Sequence, residues 1–422
     1  MIGAVLRTHV GPWVSVIAVP CYVVFSVLGA GKAWQHDLTW TTTQVGTAVF
    51  PYGVLLAGAV ALDISRVSQV DRRHLVTGAA RGRSPLRLAV LAALGPIVLL
   101  HLVVWVAMMA WSSQGAHDFP WSAAHLLPLA TQVGVLCSVV ALGYAVGIAF
   151  APLVAGIVAA LVALGLLAGY LALPGTSLEV FGVVGEGGTM LGLAPAVPYY
   201  GAQLLLLALI TVALFAVRQG GPGEASGRRW RPGLLAVAAV LVLVVPTVLH
   251  NASYRAVDGR ATDCRGAQPV VCDFAEVAGG RARYEGAVRR LVEAAHDAGY
   301  SALAPAEVRA VAENGVADRE AGLFTFTPDS FFDPYAPHAP ADVASVAGEL
   351  LIPRHCDVYV DEPPPAYWEV SDALLGTWLL LVGIDPGDAG LPPRGKPLSP
   401  QRTAELVDQL ERCDPAVVGA LP

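Results

Sequence analysis

Between residues 12 and 250 the chain is a succession of apolar runs, each about as long as a helix that crosses a bilayer. A hydrocarbon core of ~30 Å is spanned by about 20 helical residues. A chain with so many such runs has lipid as its main solvent. They lie at 12–30, 43–63, 87–111, 122–149, 151–172, 201–218 and 233–250. Only Phe150-Ala151-Pro152 separates the fourth from the fifth. Proline removes a helix donor and clashes with the preceding turn, so a tight hairpin is expected there instead of one long helix. The count is therefore about seven spans. Charged residues are 14% of the 422 and mean hydropathy is +0.59, against roughly a quarter charged in soluble domains.

The pattern changes at His250, and the charge changes with it. Residues 1–250 hold 12 Lys+Arg against 7 Asp+Glu, and residues 251–422 hold 14 against 26. The expected fold class is an all-α polytopic membrane domain over 1–250, followed by a mainly helical α+β, disulfide-bonded extracytoplasmic domain over 251–422. Nucleic acid is excluded as a partner: the basic residues of the first half sit in short connections, and the acidic second half would repel phosphate. Only Lys32 and Lys396 among the basic residues are lysine, which, with the Ala, Gly and Val content, points to a GC-rich bacterial genome.

Short cytoplasmic connections collect arginine. With the N-terminus inside, the inner segments hold Arg7, Arg66, Arg72, Arg73, Arg81, Arg83, Arg87, Arg218, Arg228, Arg229 and Arg231, and the outer connections of this half hold only Lys32. An odd number of spans then puts residues 251–422 outside a bacterial plasma membrane. The first run lacks a small-residue cleavage site and reads as a signal anchor.

Inside this half, His101 lies in the middle of the third run, where an ionisable group is costly and marks a candidate polar site. A lone imidazole there can equally hydrogen-bond a neighbouring helix. Gly95-Pro96 in the same run is a kink signal. Gly143-x-x-x-Gly147 and Gly165-x-x-x-Gly169 permit close helix approach. The two pairs fall near opposite faces of the membrane, so they serve different contacts or none. The connection 64–86 is too long for a simple turn and carries Arg66, Arg72 and Arg73. These arginines set topology, and they also offer a docking surface to a cytoplasmic partner.

This layout resembles the membrane subunit of ABC-2 type ABC transporters, in particular permease-like proteins of actinobacteria. In that family six helices form the core, a short cytoplasmic helix between the second and third meets the ATPase, and the outer connection between the fifth and sixth carries re-entrant segments. The connection around Arg66, Arg72 and Arg73 occupies the first of those positions. Residues 173–200, with Glu179, Glu186 and repeated glycines, occupy the second. The resemblance covers residues 1 to about 218 by layout; the seventh run and the C-terminal part depart from the simplest family pattern. It implies a separate cytoplasmic ABC ATPase as partner and a homo- or heterodimeric membrane part. The chain has no ATPase of its own: Gly29-Ala-Gly-Lys32-Ala33 lacks the Ser or Thr after lysine and the first glycine of a phosphate loop.

Of six cysteines, Cys21 and Cys137 fall within apolar runs, and Cys264, Cys272, Cys356 and Cys413 fall beyond residue 250. Four cysteines in an oxidising compartment make two disulfides. The favoured pairing is Cys264 with Cys272, closing a short loop, and Cys356 with Cys413. Their spacings match no zinc pattern well. Patterning predicts strands at 269–274 and 322–327 and helices near 281–298, 304–313, 340–351, 365–383 and 399–412. Ser399-Pro400 reads as a cap followed by a first-turn proline. The segment from Cys264 to Glu276 resembles one that follows the membrane part of some permease-like proteins, where Pro-x-Val-Cys often precedes His-Pro. Here Phe274-Ala275 stands instead, so no ligand role for that histidine carries over.

No hydrolase signature, metal motif or cofactor loop is present. Glu293-x-x-His296 is a single i, i+3 pair with no second copy, and Cys356, within His355-Cys356-Asp357, is expected in a disulfide and so is no nucleophile. The chain is read as a non-enzymatic, permease-like exporter subunit. The alternative is a non-transporting membrane protein displaying an extracellular ligand-binding or envelope-interaction domain.

Overall fold

A computed structural model describes residues 9–28, 34, 37–68, 85–113, 126–173, 176–183, 190, 192–216, 253–256, 261, 263–274, 281–311, 323–326, 340–353, 356, 365–392 and 395–413. They are mostly helical and build two hydrophobic clusters, one from Val14 to Leu214 and one from Ala261 to Leu410.

The first cluster contains six apolar helices. α1 (Gly11–Val27) is α-helical to Cys21 and continues as a π-turn over Tyr22–Val27. α2 (Leu38–Ser68), α3 (Pro85–Ser112), α4 (Leu126–Ala149), α5 (Pro152–Ala172) and α6 (Val197–Phe215) are each long and apolar enough to cross a membrane. Among the described residues five helices therefore meet the spanning length, while α1, at 17 residues, is shorter than the expected run 12–30. The seventh expected run, 233–250, lies outside the described residues. Helix α4 ends at Ala149 and α5 opens at Pro152, which is the hairpin that the proline requires. Across Gly95-Pro96 the helix α3 is continuous.

Burial ranks the helices. The apolar windows of α2 and α4 are 61% buried, and those of α3 and α5 are 22% buried. Helices α2 and α4 are thus interior. The outer ones expose Leu91, Leu99, Leu153, Leu161, Leu205 and Val212 along their free faces, an apolar belt suited to lipid and unsuited to water.

Helices associate in lipid through close packing of small residues. A Cβ on Gly143 would sit 2.6 Å from the Ala57 carbonyl oxygen, and one on Gly147 would sit 2.6 Å from that of Ala61. The first glycine pair is therefore the seam between α4 and α2. The second pair is no such seam: Gly165 has nothing within 4 Å, and Gly169 faces the Leu178 side chain. On the other side of α2, Gly58 lies against Gly156 of α5, and Ala155, Ala159 and Ala163 are fully buried.

The second cluster surrounds a four-stranded sheet. Strand β1 (Leu193–Pro195) pairs antiparallel with β2 (Tyr254–Ala256) beside the first cluster. The larger sheet runs β3 (Asp263–Arg265), β4 (Val270–Asp273), β5 (Glu307–Ala310), β6 (Leu323–Phe326), with β3 antiparallel to β4 and the others parallel. Helices α7 (Arg281–Asp297), α8 (Pro340–Leu350), α9 (Pro365–Leu381) and α10 (Pro400–Glu411) pack around it. The expected helix at 304–313 is wrong. Residues 307–310 form the interior strand β5, in which Val308 and Ala310 are buried and Glu307 and Arg309 point the other way. That period of two, not the proline before it, was the governing signal. The side chain of Ser399 caps α10 by accepting from the Arg402 N–H, with Pro400 in the first turn. Disulfides join Cys264 to Cys272 across β3 and β4, and Cys356 to Cys413 across 57 residues.

Candidate functional site

The apolar runs bring several polar side chains inward, and these assemble into one connected network. His101 of α3 is fully buried. Its Nδ1 lies 2.5 Å from the Tyr22 hydroxyl of α1 and 3.3 Å from the Tyr52 hydroxyl of α2, and its Nε2 lies 2.9 Å from Gln132 Oε1 of α4. The two hydroxyls are 2.7 Å apart. Four helices thus meet at one imidazole.

The proton pattern follows from the far end. Gln132 Nε2 is 2.9 Å from the Thr42 carbonyl, an acceptor only, so the amide nitrogen donates there and Oε1 must accept. His101 Nε2 therefore carries a hydrogen and Nδ1 accepts from Tyr22, which in turn accepts from Tyr52. The chain of donors runs from Tyr52 through Tyr22, His101 and Gln132 to the backbone, with every link satisfied. Tyr22 sits where α1 widens from an α- to a π-turn, two residues after Pro20. Such local widening re-aims a side chain without ending the helix.

Two buried carboxylates tie the helix ends. Asp63 of α2 accepts the N–H groups of Val10 at 2.9 Å and Gly11 at 2.8 Å, which places an anion at the positive N-terminus of α1. Asp37 caps α2 by accepting the Trp40 N–H at 2.8 Å and holds the Met190 N–H at 2.5 Å. At that same end the described parts of the connection between α5 and α6 pack into the bundle. A short 3-10 turn, Ser177–Phe181, is followed by Val183 and Met190, and Val180, Phe181, Val183 and Met190 are all buried in the first cluster. The Val183 carbonyl lies directly against Gly46 of α2, where no side chain would fit. Gln203 of α6 donates to the carbonyls of Val180 and Gly182, each at 3.1 Å.

Between this connection, α4 and α6 lies a cavity of about 80 Å³. Gln132 and Gln203 line it with Tyr170, Tyr199, Tyr200 and Tyr254. The network around His101 therefore reaches the cavity wall through Gln132.

Of the residues singled out from the sequence, His101 is in the network, and Arg66 stands exposed in the last turn of α2. Arg72 and Arg73 lie outside the described residues, as does His355. His296 is exposed on α7 beside Asp297. Among the described residues no group of three or more His, Cys, Asp or Glu is placed to hold a metal ion. Sequence reasoning missed Tyr22, Tyr52, Gln132, Gln203 and Asp63. Their signal was present: each is a hydrogen-bonding side chain within or at the end of an apolar run, and such side chains turn toward protein when the surroundings are lipid.

Comparison of the chain with protein-family models, with curated proteins and with solved structures found no match in any of the three. What the fold and site define is a class: a protein with several helices long and apolar enough to cross a membrane, a buried polar network among them and two disulfides outside the helix bundle.

Proposed function

We propose that the chain is the membrane-spanning, permease-like subunit of an ABC-type exporter and works with a separate cytoplasmic ATPase that docks on the 64–86 connection through Arg66, Arg72 and Arg73. The observation that carries this reading is the inward fold of the connection between α5 and α6. Irregular backbone at membrane depth is tolerated only where protein buries it or a cavity adjoins it. Both conditions hold here, with Gln203 binding the carbonyls of Val180 and Gly182 and the cavity alongside. A passive anchor has no need of such a segment.

In this reading the bundle is completed by a seventh span at 233–250. The N-terminus faces the cytoplasm of a bacterial cell, and residues 251–422 form an extracytoplasmic domain. Arginine placement supports the orientation, and two disulfides support an oxidising compartment for the last part. The test is a pull-down of the tagged full chain from native membranes, probed for a Walker-motif ATPase. An ATPase is expected with the wild type and absent after Arg72→Glu plus Arg73→Glu. A protein that purifies alone, with both versions equally functional in cells, would return the chain to the alternative of a membrane-anchored display domain.

A further inference from the structure

The two disulfides of the second cluster sit in unlike surroundings. Cys356 is 1% exposed and Cys413 packs against the hydrophobic cluster, so a thiol reaches that bridge only when the cluster opens. Cys264 stands exposed on β3, at the edge of the sheet, while its partner Cys272 is 1% exposed. Attack on the short bridge therefore has one open side, and the sulfur there belongs to Cys264. Access of this kind governs the rate of thiol–disulfide exchange.

The hairpin does not need the bridge to form. Cys264 lies directly across from Cys272 in the antiparallel ladder. The turn between them passes through Gly266 at φ +93°, where a Cβ would sit 2.9 Å from the Pro269 carbonyl oxygen. Ladder and turn already hold β3 on β4, so the strands can stay paired when the bond is cut. The reduced form also has a place prepared for its hydrogen. Cys272 Sγ is 3.4 Å from Glu307 Oε1 of β5, and that oxygen is fixed by Arg309 Nε at 2.8 Å and Nη2 at 2.6 Å. A disulfide sulfur has no hydrogen to give, whereas a thiol donates one. The contact becomes a hydrogen bond to a charged acceptor only after reduction.

We propose that Cys264–Cys272 is a thiol–disulfide exchange site for a dithiol reductant and acts as a redox clasp on β3. A thiolate of the reductant attacks Cys264 Sγ and forms a mixed disulfide as the Cys264–Cys272 bond breaks. Cys272 Sγ leaves with the electron pair, takes a proton from solvent and donates its S–H to Glu307. The second thiol of the reductant then displaces Cys264 as thiolate, which is protonated in turn. The reductant ends as a disulfide, and its two electrons and two protons end on the two cysteines. Six residues, 257–262, separate β3 from β2, the strand that pairs with β1 beside the helix bundle. The clasp thus sets whether the chain is pinned where it enters the sheet. No ATPase and no transport enter the argument, so the proposal stands or falls separately from the exporter reading.

The experiment uses the full chain, purified oxidised in detergent at pH 7. It is exposed to dithiothreitol, quenched with acid and alkylated, and each cysteine is followed by peptide mass spectrometry. Cys264 and Cys272 should become alkylated at least about tenfold faster than Cys356 and Cys413, with the melting transition of the second cluster still present. A brief exposure to glutathione should leave its adduct on Cys264. In Glu307→Gln, the ratio of reduced to oxidised dithiothreitol that half-reduces the short bridge should rise about threefold, the loss of a charged acceptor for the thiol. Equal rates for the two bridges, an adduct first on Cys272, loss of the transition once the short bridge is cut, or an unchanged midpoint in Glu307→Gln would overturn the proposal.

Discussion

In the helix bundle the closest contacts are between backbones, whereas in the cluster from Ala261 to Leu410 they are between large side chains. Gly143 and Gly147 bring α4 onto the carbonyls of Ala57 and Ala61, and Gly58 lies against the Gly156 carbonyl of α5. The second cluster instead buries Tyr284, Phe326 and Trp378, the last donating its indole N–H to the Leu291 carbonyl at 2.9 Å, and is closed by two disulfides. Between helices in lipid there is no hydrophobic gain to be had, so cohesion comes from close approach and from hydrogen bonds such as those around His101. A cluster assembled from water draws on burial of apolar area and, when small, on cross-links. One chain carries both solutions, the first before its polar remainder begins and the second within it.

The largest effect should come from the long cross-link. Replacing Cys356 and Cys413 by Ser removes a loop closure across 57 residues, worth about 4 kcal/mol in the chain-entropy account. Calorimetry should show the unfolding transition of the second cluster shifted down while that of the bundle stays. If both transitions moved together, the contrast between the two regions would be false. The shorter pair, Cys264 and Cys272, at a separation of 8, should cost about 2.5 kcal/mol.

Next comes the seam. Gly147→Leu drives a side chain into Ala61 and into Ile64, whose Cβ would be 2.8 Å away, and overpacking of this kind costs about 3 kcal/mol. Loss of monodisperse protein on size exclusion in mild detergent is the readout. Gly165→Ala, with nothing within 4 Å, should leave the profile unchanged or improve it. Equal damage from both would mean that close approach is not what holds α4 to α2.

A smaller loss is expected from Gln132→Leu, which leaves the His101 Nε2–H and the Thr42 carbonyl without their partner. Hydrogen bonds between helices in membranes are worth about 1 kcal/mol or less, so Tm should fall slightly while the fold persists. A much larger drop would make the network, not the glycine seam, the main cohesion of the bundle.

The smallest effect concerns Asp372 on α9. Partial burial holds its carboxyl above the usual carboxylate range. With the folded value raised, the protonated form is favoured by folding. That contribution is full below about pH 4, the unfolded value, and is lost as pH rises through the folded value. Asp372→Asn should therefore flatten the decline in Tm of the second cluster over that interval and leave the bundle untouched. An unchanged pH profile would remove burial at this position as a factor.

Much of the fold was legible because its signals are one-dimensional. Run length and hydropathy located six of the apolar helices, Pro152 placed the hairpin, Ser399-Pro400 opened α10, and the short spacing of Cys264 and Cys272 favoured their pairing. The error at 304–313 arose where a proline and a short alternating stretch competed, and a strand between two parallel neighbours prevailed because its pairing partners are remote in sequence. What the sequence alone determined is the division into an apolar bundle and a polar, cysteine-bearing remainder. Which glycine pair meets a neighbouring helix, that His101 is joined to Tyr22, Tyr52 and Gln132, and that Gln203 clamps the connection beside a cavity were decided only in three dimensions. The reason is physical: a run of apolar residues reports that a helix prefers lipid, but the rotation of that helix about its own axis is set by the faces of the helices around it.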